Sequence, residues 1–219
     1  MPISAYVQSA VFFILAGAAL FGGAGTFDIP SFWIYLAILA ALMIASLVGL
    51  DPDLLRERLR PGGQKPPAAL RLLALLFFAH WLIAGLDRGR FHWSDTVPDW
   101  LQAIGLIAVA AGNVVCFWAM RVNRFFSSII RIQSDRGQHV IDSGPYAFVR
   151  HPGYVGGILF MVGSGIALGS WLAWALLTAA SLPFLLGRAI NEDRILQADL
   201  PGYRDYAARV RWRLLPGVW

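Results

Sequence analysis

Cysteine and charged residues are scarce in this chain of 219 residues. The one cysteine, Cys116, excludes a disulfide within the chain. The cysteine and the four histidines do not stand at the spacings of metal ligands, so no metal site is expected. A strand-linked glycine-rich phosphate loop and a G-x-S-x-G nucleophile motif are also missing. These gaps argue against a disulfide scaffold, a nucleotide-binding fold and a serine hydrolase.

Apolar residues dominate what is present. They make up 58% of the chain, its mean hydropathy is +0.60, and charged residues contribute 14%, against about 25% in soluble domains. This composition predicts an integral membrane protein, and the length suits a single membrane domain over 1–219. The net charge of +5 does not indicate nucleic acid, because the arginines lie beside apolar segments, where they anchor to headgroups and anionic lipid.

Six apolar segments approach the roughly 20 residues that a helix needs to cross a bilayer. The predicted fold class is therefore all-α: a polytopic transmembrane helix bundle with about six spanning helices. A very short turn around Gly169-Ser170 predicts that the last two helices form an antiparallel hairpin. The segments are Tyr6–Gly22, Pro30–Leu50, Ala68–Leu86, Pro98–Met120, Tyr154–Leu168 and Trp171–Ile190.

Basic residues give the orientation of the bundle. Of the 18 arginines and lysines, all except Arg88 and Arg90 flank the connections on one side. The positive-inside rule then places both termini and the motif-bearing loops in the cytoplasm, which agrees with an even number of helices. The first 24 residues carry no Lys or Arg, so the basic region of a signal peptide is missing and we expect the first apolar run to be retained as a helix.

Two polar stretches mix arginines with aromatic or aliphatic residues. Arg121–Gln133 and Tyr203–Trp219 are both predicted to form short amphipathic helices at the headgroup level. Asp51–Pro67 is charged and then rich in proline and glycine, so it is predicted to be a cytoplasmic connection. Glycines at four-residue spacing, such as Gly165 and Gly169, indicate close helix packing.

A first polar cluster stands at the start of the fifth apolar segment. A residue before proline avoids the helical region, so His151 is expected to precede a helix that Pro152 starts, with backbone N–H groups free to attract anions. Arg150 offers bidentate carboxylate binding, and Tyr146 and Tyr154 add rings and hydroxyls. The set suits an amino-acid-like carboxylate with a sulfonium or adenine. The alternative is an interfacial belt that anchors a helix.

A second polar cluster follows the last apolar segment. Arg188 and Glu192 are four residues apart, so they share a helix face, and Asp193 lies beside them. Standing alone, this would be a surface ion pair. A hairpin brings both clusters to the same membrane face, however, and charged groups at the ends of lipid-embedded helices are costly unless paired, hydrated or functional. The two clusters together form a candidate active site.

The motifs resemble those of a known family. Gln138–Gly156, QHVIDSGPYAFVRHPGYVG, is similar to the cofactor motif of the isoprenylcysteine carboxyl methyltransferases, which overlap with the phospholipid methyltransferases. Glu192-Asp193-Arg194, followed by LPGYRDY at 200–206, resembles that family's acidic pair and tyrosine-containing tail. The resemblance covers about 121–219, which makes this the cofactor-binding half and 1–120 a set of N-terminal transmembrane helices.

The resemblance implies S-adenosyl-L-methionine as methyl donor, with S-adenosylhomocysteine as product, bound at the cytoplasmic end of the last helices. Arg188 would position the acceptor, and Glu192 would face it or act as a base toward an amine or thiol. The family often has His at position 138 and Glu at position 193, so these two contacts differ here. The implied cofactor-binding residues are Gln138, Val140, Gly144, Tyr146, Arg150, His151, Tyr154 and Asp193.

The acceptor implied by the resemblance is a lipophilic or lipidated molecule from the bilayer. A prenylated cysteine carboxylate is favoured, and a phospholipid amine or a small thiol stays open. Other classes of protein are also open: a non-catalytic assembly or transport component, or a membrane reductase that uses a nicotinamide cofactor. The expected location is the inner membrane in a bacterium or the endoplasmic reticulum in a eukaryote.

Overall fold

The computed structural model describes residues 3–63 and 68–219. Within these ranges the regular structure is entirely helical, which confirms the all-α class. π-helical turns continue two of the helices, over Ala18–Gly22 and Asp87–Phe91. The α-helices of the described ranges are α1 (Ile3–Gly17), α2 (Pro30–Gly49), α3 (Pro52–Leu59), α4 (Ala68–Leu86), α5 (Asp99–Val122), α6 (Pro152–Ala167), α7 (Trp171–Asp199) and α8 (Tyr203–Arg209).

The apolar helices make this an integral membrane protein. In the described part of the chain, α2, α4, α5 and α7 are long and apolar enough to cross a bilayer, and α4 does so together with its π-helical turn. The first apolar helix, Tyr6–Gly22, and α6 are shorter. The six predicted segments are thus all helical, and four of them reach spanning length. Helices α2, α5 and α7 end, and helices α4 and α6 begin, on the same side of the bundle. We call this side the basic end.

The α6–α7 hairpin forms as predicted. Gly169 has a φ of 77°, which L side chains rarely adopt, and Ser170 caps α7 by accepting a hydrogen bond from the Ala173 N–H at 3.1 Å. A Cβ atom on Gly165 would lie 2.3 Å from the Trp174 Cα. Close helix packing at this glycine is therefore confirmed, and it holds α6 and α7 side by side next to their turn, at the end of the hairpin opposite the basic end.

Helix α3 lies inside the predicted connection Asp51–Pro67, where the sequence analysis did not expect a helix. Asp51 caps the helix by accepting from the Asp53 N–H at 2.7 Å, and Pro52 occupies its first turn. Both are standard helix-start signals, which the charge and the Pro-Gly content of the segment obscured. Residues 64–67, including Lys65, lie outside the described residues.

The two predicted interfacial helices are largely absent. Beyond Val122 the chain leaves the helical conformation, because the Asn123 side chain accepts from the Phe125 N–H at 2.9 Å, and Arg131 donates to Glu57 on α3. In Tyr203–Trp219 only α8 is helical. The segment after it is not helical, and its Trp212 and Arg213 carbonyls accept from the backbone N–H groups of Arg150 and His151 at 2.9 and 3.0 Å.

Helix α7 is longer than predicted. It continues nine residues past Ile190, to Asp199, so the second polar cluster stands on its last turns, as the helical spacing of Arg188 and Glu192 indicated. Helical periodicity then fixes which side chains of the cluster share a face: Arg188, Glu192 and Ile195 point the same way. This rigid placement orients the cluster toward the start of α6.

Candidate active site

A cavity of about 280 Å³ opens at the basic end. Its walls come from α3 to α8 and from the 123–151 segment, so residues on both sides of position 121 contribute. Both polar clusters reach it: Arg150, His151 and Tyr154 from the first, and Arg188 and Glu192 from the second. The size is close to that of small-molecule binding pockets, which begin at about 300 Å³.

Asp193 is the structural centre behind this cavity. Its side chain is 1% exposed, and it binds Arg150 bidentately, with Arg150 Nε at 2.8 Å from Oδ1 and Nη2 at 3.1 Å from Oδ2. His151 Nε2 lies 3.3 Å from Oδ1, and Arg213 Nε donates to Oδ2 at 2.9 Å. The Tyr203 hydroxyl also donates to Oδ1, at 3.1 Å. One carboxylate therefore ties α6, α7, α8 and the C-terminal segment together.

The guanidinium of Arg150 makes most of its hydrogen bonds within the chain. Besides Asp193, its Nη1 group donates to the carbonyls of Val210 and Arg211 at 2.9 and 2.8 Å. Four of the five guanidinium N–H groups are therefore used within the chain. We expected Arg150 to bind a ligand carboxylate bidentately, but its bidentate partner is Asp193. The side chain is 6% exposed, and its geometry is that of a group that shapes the cavity wall.

Tyr154 connects the two catalytic candidates on α7. Its hydroxyl donates to Glu192 Oε2 at 2.7 Å and accepts from Arg188 Nε at 3.2 Å. Arg188 also donates through Nη2 to the Ser128 carbonyl at 3.2 Å. The direct Arg188–Glu192 ion pair, which was the alternative interpretation of the spacing, is not among the ion pairs of the described residues. A hydroxyl between the two charges leaves each with capacity for a ligand.

Some of the remaining predicted cofactor-binding residues line the cavity and others do not. The Gln138 side-chain carbonyl accepts from the Gln133 N–H at 2.6 Å, and Val140 packs against Leu200 beside the cavity. Tyr146 lines the cavity, and its hydroxyl accepts from Asn123 Nδ2 at 3.1 Å. Gly144 and Asp193 are not in the cavity wall.

Gly144 shapes the chain before the first cluster. Its φ is 59°, and a Cβ there would lie 2.9 Å from Val122 Cγ2. Glycine is required at this position by both the backbone conformation and the close approach to α5. The turn that it begins sets Tyr146 in the wall.

Buried tyrosines form a third side of the site. Tyr203 and Tyr206 line the cavity, and the Tyr206 hydroxyl donates to the Tyr146 carbonyl at 2.8 Å. Burial, together with the nearby Asp193 charge, raises the pKa of Tyr203 above its usual range, and burial likewise raises the pKa values of Tyr146 and Tyr206. These hydroxyls stay protonated at physiological pH, and those of Tyr203 and Tyr206 donate hydrogen bonds within the chain.

Basic side chains outnumber acidic ones in the cavity wall. Four arginines line the cavity, and Glu192 is its one acid among the described residues. Two of the arginines, Arg58 and Arg131, were not singled out from the sequence. The sequence feature that could have indicated them is the Asp51-Pro52 helix start of α3. This helix places Arg58 in the wall and places Glu57 where it binds Arg131.

Comparison with known proteins shows what this arrangement is similar to. Residues 100–199 match the family model of the phospholipid methyltransferases, a range that includes α6, α7, nearly all of α5 and the intervening loop. The family region thus contains both polar clusters, and the tail with Tyr203, Tyr206 and Arg213 lies just beyond it.

Relatives of the chain fall in two groups. It is 28% identical over 130 residues to the cobalt-zinc-cadmium resistance protein CzcN of Cupriavidus metallidurans, which covers 59% of this chain and 56% of CzcN. It is 33% identical over 95 residues to the protein-S-isoprenylcysteine O-methyltransferase of Xenopus laevis, which covers 43% of this chain and 33% of that protein. The matches therefore span about a third to a half of these relatives.

A solved structure shares the fold. The eukaryotic intramembrane Ras methyltransferase, an isoprenylcysteine carboxyl methyltransferase, superimposes with a TM-score of 0.65 over 93% of this chain and 74% of that one. Sequence identity is 20%, so the likeness concerns the helical architecture. It covers the N-terminal helices as well, which the family model does not reach.

Proposed function

We propose that this protein transfers a methyl group from S-adenosyl-L-methionine to the carboxylate of a lipophilic acceptor. The observation that carries the proposal is the cavity where Tyr154 joins Arg188 to Glu192 in front of the Asp193 network. The match of 100–199 to the methyltransferase family model supports the reaction class. The Xenopus relative and the superimposed structure, whose names specify isoprenylcysteine and its carboxyl group, support the acceptor.

The wall has the groups that the methyl donor requires. When bound, S-adenosyl-L-methionine supplies a methyl group already activated on a sulfonium, together with a carboxylate, an ammonium and an adenine. Glu192 would face a cationic part of this molecule, and the Gln138 amide N–H and the protonated Tyr146 hydroxyl would provide donors. Arg150, His151 and Asp193 would hold the wall in shape. The donor set thus fits the cofactor.

An apolar groove gives the acceptor its route. It runs between helices and is lined by Leu39, Phe77 and Phe160, and it shares Cys116 and Met120 with the cavity. An acceptor with a long apolar tail would occupy the groove and place its polar end in the cavity. Arg188 would orient that end, since a guanidinium pairs with a carboxylate in a fixed geometry.

Catalysis would rest on position and a dry environment. Because donor and acceptor carry opposite charges that vanish as the methyl group moves, a poorly solvated cavity favours the transition state over the charged reactants. The apolar wall residues Phe126, Phe184 and Leu185 exclude water from the point where the two would meet. A carboxylate is already ionised at neutral pH, so no base is required for this acceptor.

The basic end would face the cytoplasm. Most arginines flank this end, and a water-soluble donor would enter the cavity there, whereas the acceptor enters from the bilayer. On this arrangement 1–120 mainly builds the membrane scaffold and 121–219 binds the cofactor, with α3 and α5 adding to the wall. The host membrane would be the inner membrane in a bacterium or the endoplasmic reticulum in a eukaryote.

The proposal is tested by incubating the purified protein with methyl-labelled S-adenosyl-L-methionine, total membrane lipids and N-acetyl-S-farnesylcysteine. We expect label in a base-labile ester of the prenylcysteine. Label in phospholipid amines or in an added thiol would show that one of these, and not the prenylcysteine, is the acceptor. Saturable binding of NADPH in place of the methyl donor would indicate a reductase. No transfer and no binding by folded protein would leave a non-catalytic membrane protein.

A further inference from the structure

Arg58 of α3 is an unpaired cation in the cavity wall. It is half-buried, and in the described part of the chain its guanidinium makes no hydrogen bond and no ion pair. It lies over the Phe126 ring, 5.0 Å from the centroid. The other three arginines of the wall differ, because each donates to an acid, a hydroxyl or a carbonyl. Arg58 alone among these four has its donors free.

The position of Arg58 is fixed by its neighbours. Glu57 accepts from Arg131 Nη2 at 3.1 Å, from the Ser127 hydroxyl at 2.9 Å and from the Gly62 N–H at 3.1 Å. Burial disfavours the charged form of Glu57, but these hydrogen bonds outweigh burial and hold its pKa below the usual value. The Glu57 carboxylate is therefore hydrogen-bonded to groups other than Arg58, and these bonds hold α3 against the 123–138 segment.

The Arg58 backbone is held as well. Its carbonyl accepts from the Ser128 hydroxyl at 3.1 Å, and the Ser128 carbonyl accepts from Arg188 Nη2 at 3.2 Å. One residue of the loop thus contacts both Arg58, through its backbone, and Arg188, through its side chain. The two cations belong to one framework although 130 positions separate them in the sequence.

A desolvated cation without a counter-ion is costly, so its retention in a cavity wall points to an anionic ligand. Burial lowers the pKa of Arg58, in the direction expected for a cation that lacks an acid partner. The one acid of the described wall, Glu192, faces Arg188 through Tyr154 and forms no ion pair with Arg58. An anionic ligand in the cavity would balance the charge of Arg58.

The location of Arg58 indicates which ligand supplies the anion. Arg58 and Cys116 both line the cavity, and Cys116 also lines the apolar groove. An amphiphile whose tail fills the groove would place its head at this junction. The carboxylate of the methyl donor is the other possible source of the same charge.

We propose that Arg58 binds the anionic head of the lipophilic acceptor and so selects carboxylate amphiphiles over neutral or amine-bearing ones. Arg188 would share this head from α7. The inference rests on the proposed function, because it concerns the acceptor of that same cavity. It adds a specificity-determining residue from the N-terminal half, outside the region that the family model matches.

The test compares Arg58→Gln with Arg56→Gln, an exposed arginine on the same helix. We expect the KM for N-acetyl-S-farnesylcysteine to rise about tenfold or more in R58Q, as for a lost hydrogen bond to a charged group, with partial recovery in R58K. R56Q should match the wild type. The affinity for S-adenosylhomocysteine should be the same in all four proteins.

A second measurement does not depend on turnover. Binding of N-acetyl-S-farnesylcysteine and of its methyl ester is compared by thermal shift without cofactor, and the wild type should prefer the acid about tenfold, a preference that R58Q loses. A preserved preference in R58Q, or weaker S-adenosylhomocysteine binding in R58Q, would overturn the proposal. If the wild type prefers the acid but transfers no methyl group, the proposed reaction fails while the Arg58 site stands.

Discussion

Asp193→Asn is expected to abolish cofactor binding and to destabilise the protein by about 3–5 kcal/mol, the usual cost of removing one partner of a buried ion pair. The variant keeps the shape of the side chain but loses the charge that Arg150, His151 and Arg213 share. Arg150 would then be a buried cation without a counter-ion. Thermal melting in detergent and titration with S-adenosylhomocysteine measure the two effects.

Asp199→Asn is the matched control. Asp199 is the last residue of the same helix and is exposed, so its variant should melt and bind like the wild type. If D193N melted at the wild-type temperature, the Asp193 network would not hold the site together. If it melted lower but bound S-adenosylhomocysteine with unchanged affinity, the network would stabilise the fold without shaping the cavity.

Glu192→Gln is expected to lower turnover about 100-fold, in the range for loss of a positioned charged group in an active site. Glutamine can still accept from the Tyr154 hydroxyl, but the negative charge facing the cationic donor and balancing Arg188 is gone. The defect should be mainly in kcat, with S-adenosylhomocysteine affinity falling far less. Tyr154→Phe, which removes the bridging hydroxyl, should lower turnover in the same direction.

The pH dependence of the Glu192 variant separates two roles. If Glu192 orients Arg188 and a carboxylate acceptor, turnover falls by the same factor across neutral pH. If it removes a proton from an amine or thiol, the defect shrinks as rising pH deprotonates the acceptor. Wild-type rates in a folded E192Q protein, with Asp199→Asn as reference, would exclude Glu192 from the reaction.

Local signals in the sequence predicted the parts of the site that depend on neighbouring residues. His151-Pro152 starts α6 and the Gly169-Ser170 turn closes the hairpin, so Arg150 and Glu192 were expected to approach each other. The apolar segments likewise indicated the helices of the bundle, although α7 runs on to Asp199. These features follow from backbone geometry and hydrophobic length, which a short stretch of sequence contains.

The features that were missed depend on distant partners. The arginines of Arg121–Gln133 and its surroundings suggested an amphipathic helix, but Arg131 binds Glu57 and Arg136 binds Asp53, both on α3. The non-helical segment after α8 is held by Arg150, 60 positions away. No local pattern specifies such pairings, and a helix signal within a charged, proline-rich segment, as at Asp51, is easily overlooked.

The most direct test of the central claim is calorimetric titration of the detergent-solubilised protein with S-adenosylhomocysteine. Ile195→Trp would fill the cavity from its wall, whereas Ile190→Trp places the same ring on an exposed face of α7. We predict saturable binding by the wild type and I190W, and its loss in I195W. No saturable binding by folded wild type, or equal binding by both variants, would contradict a cofactor site formed by the start of α6 and the end of α7.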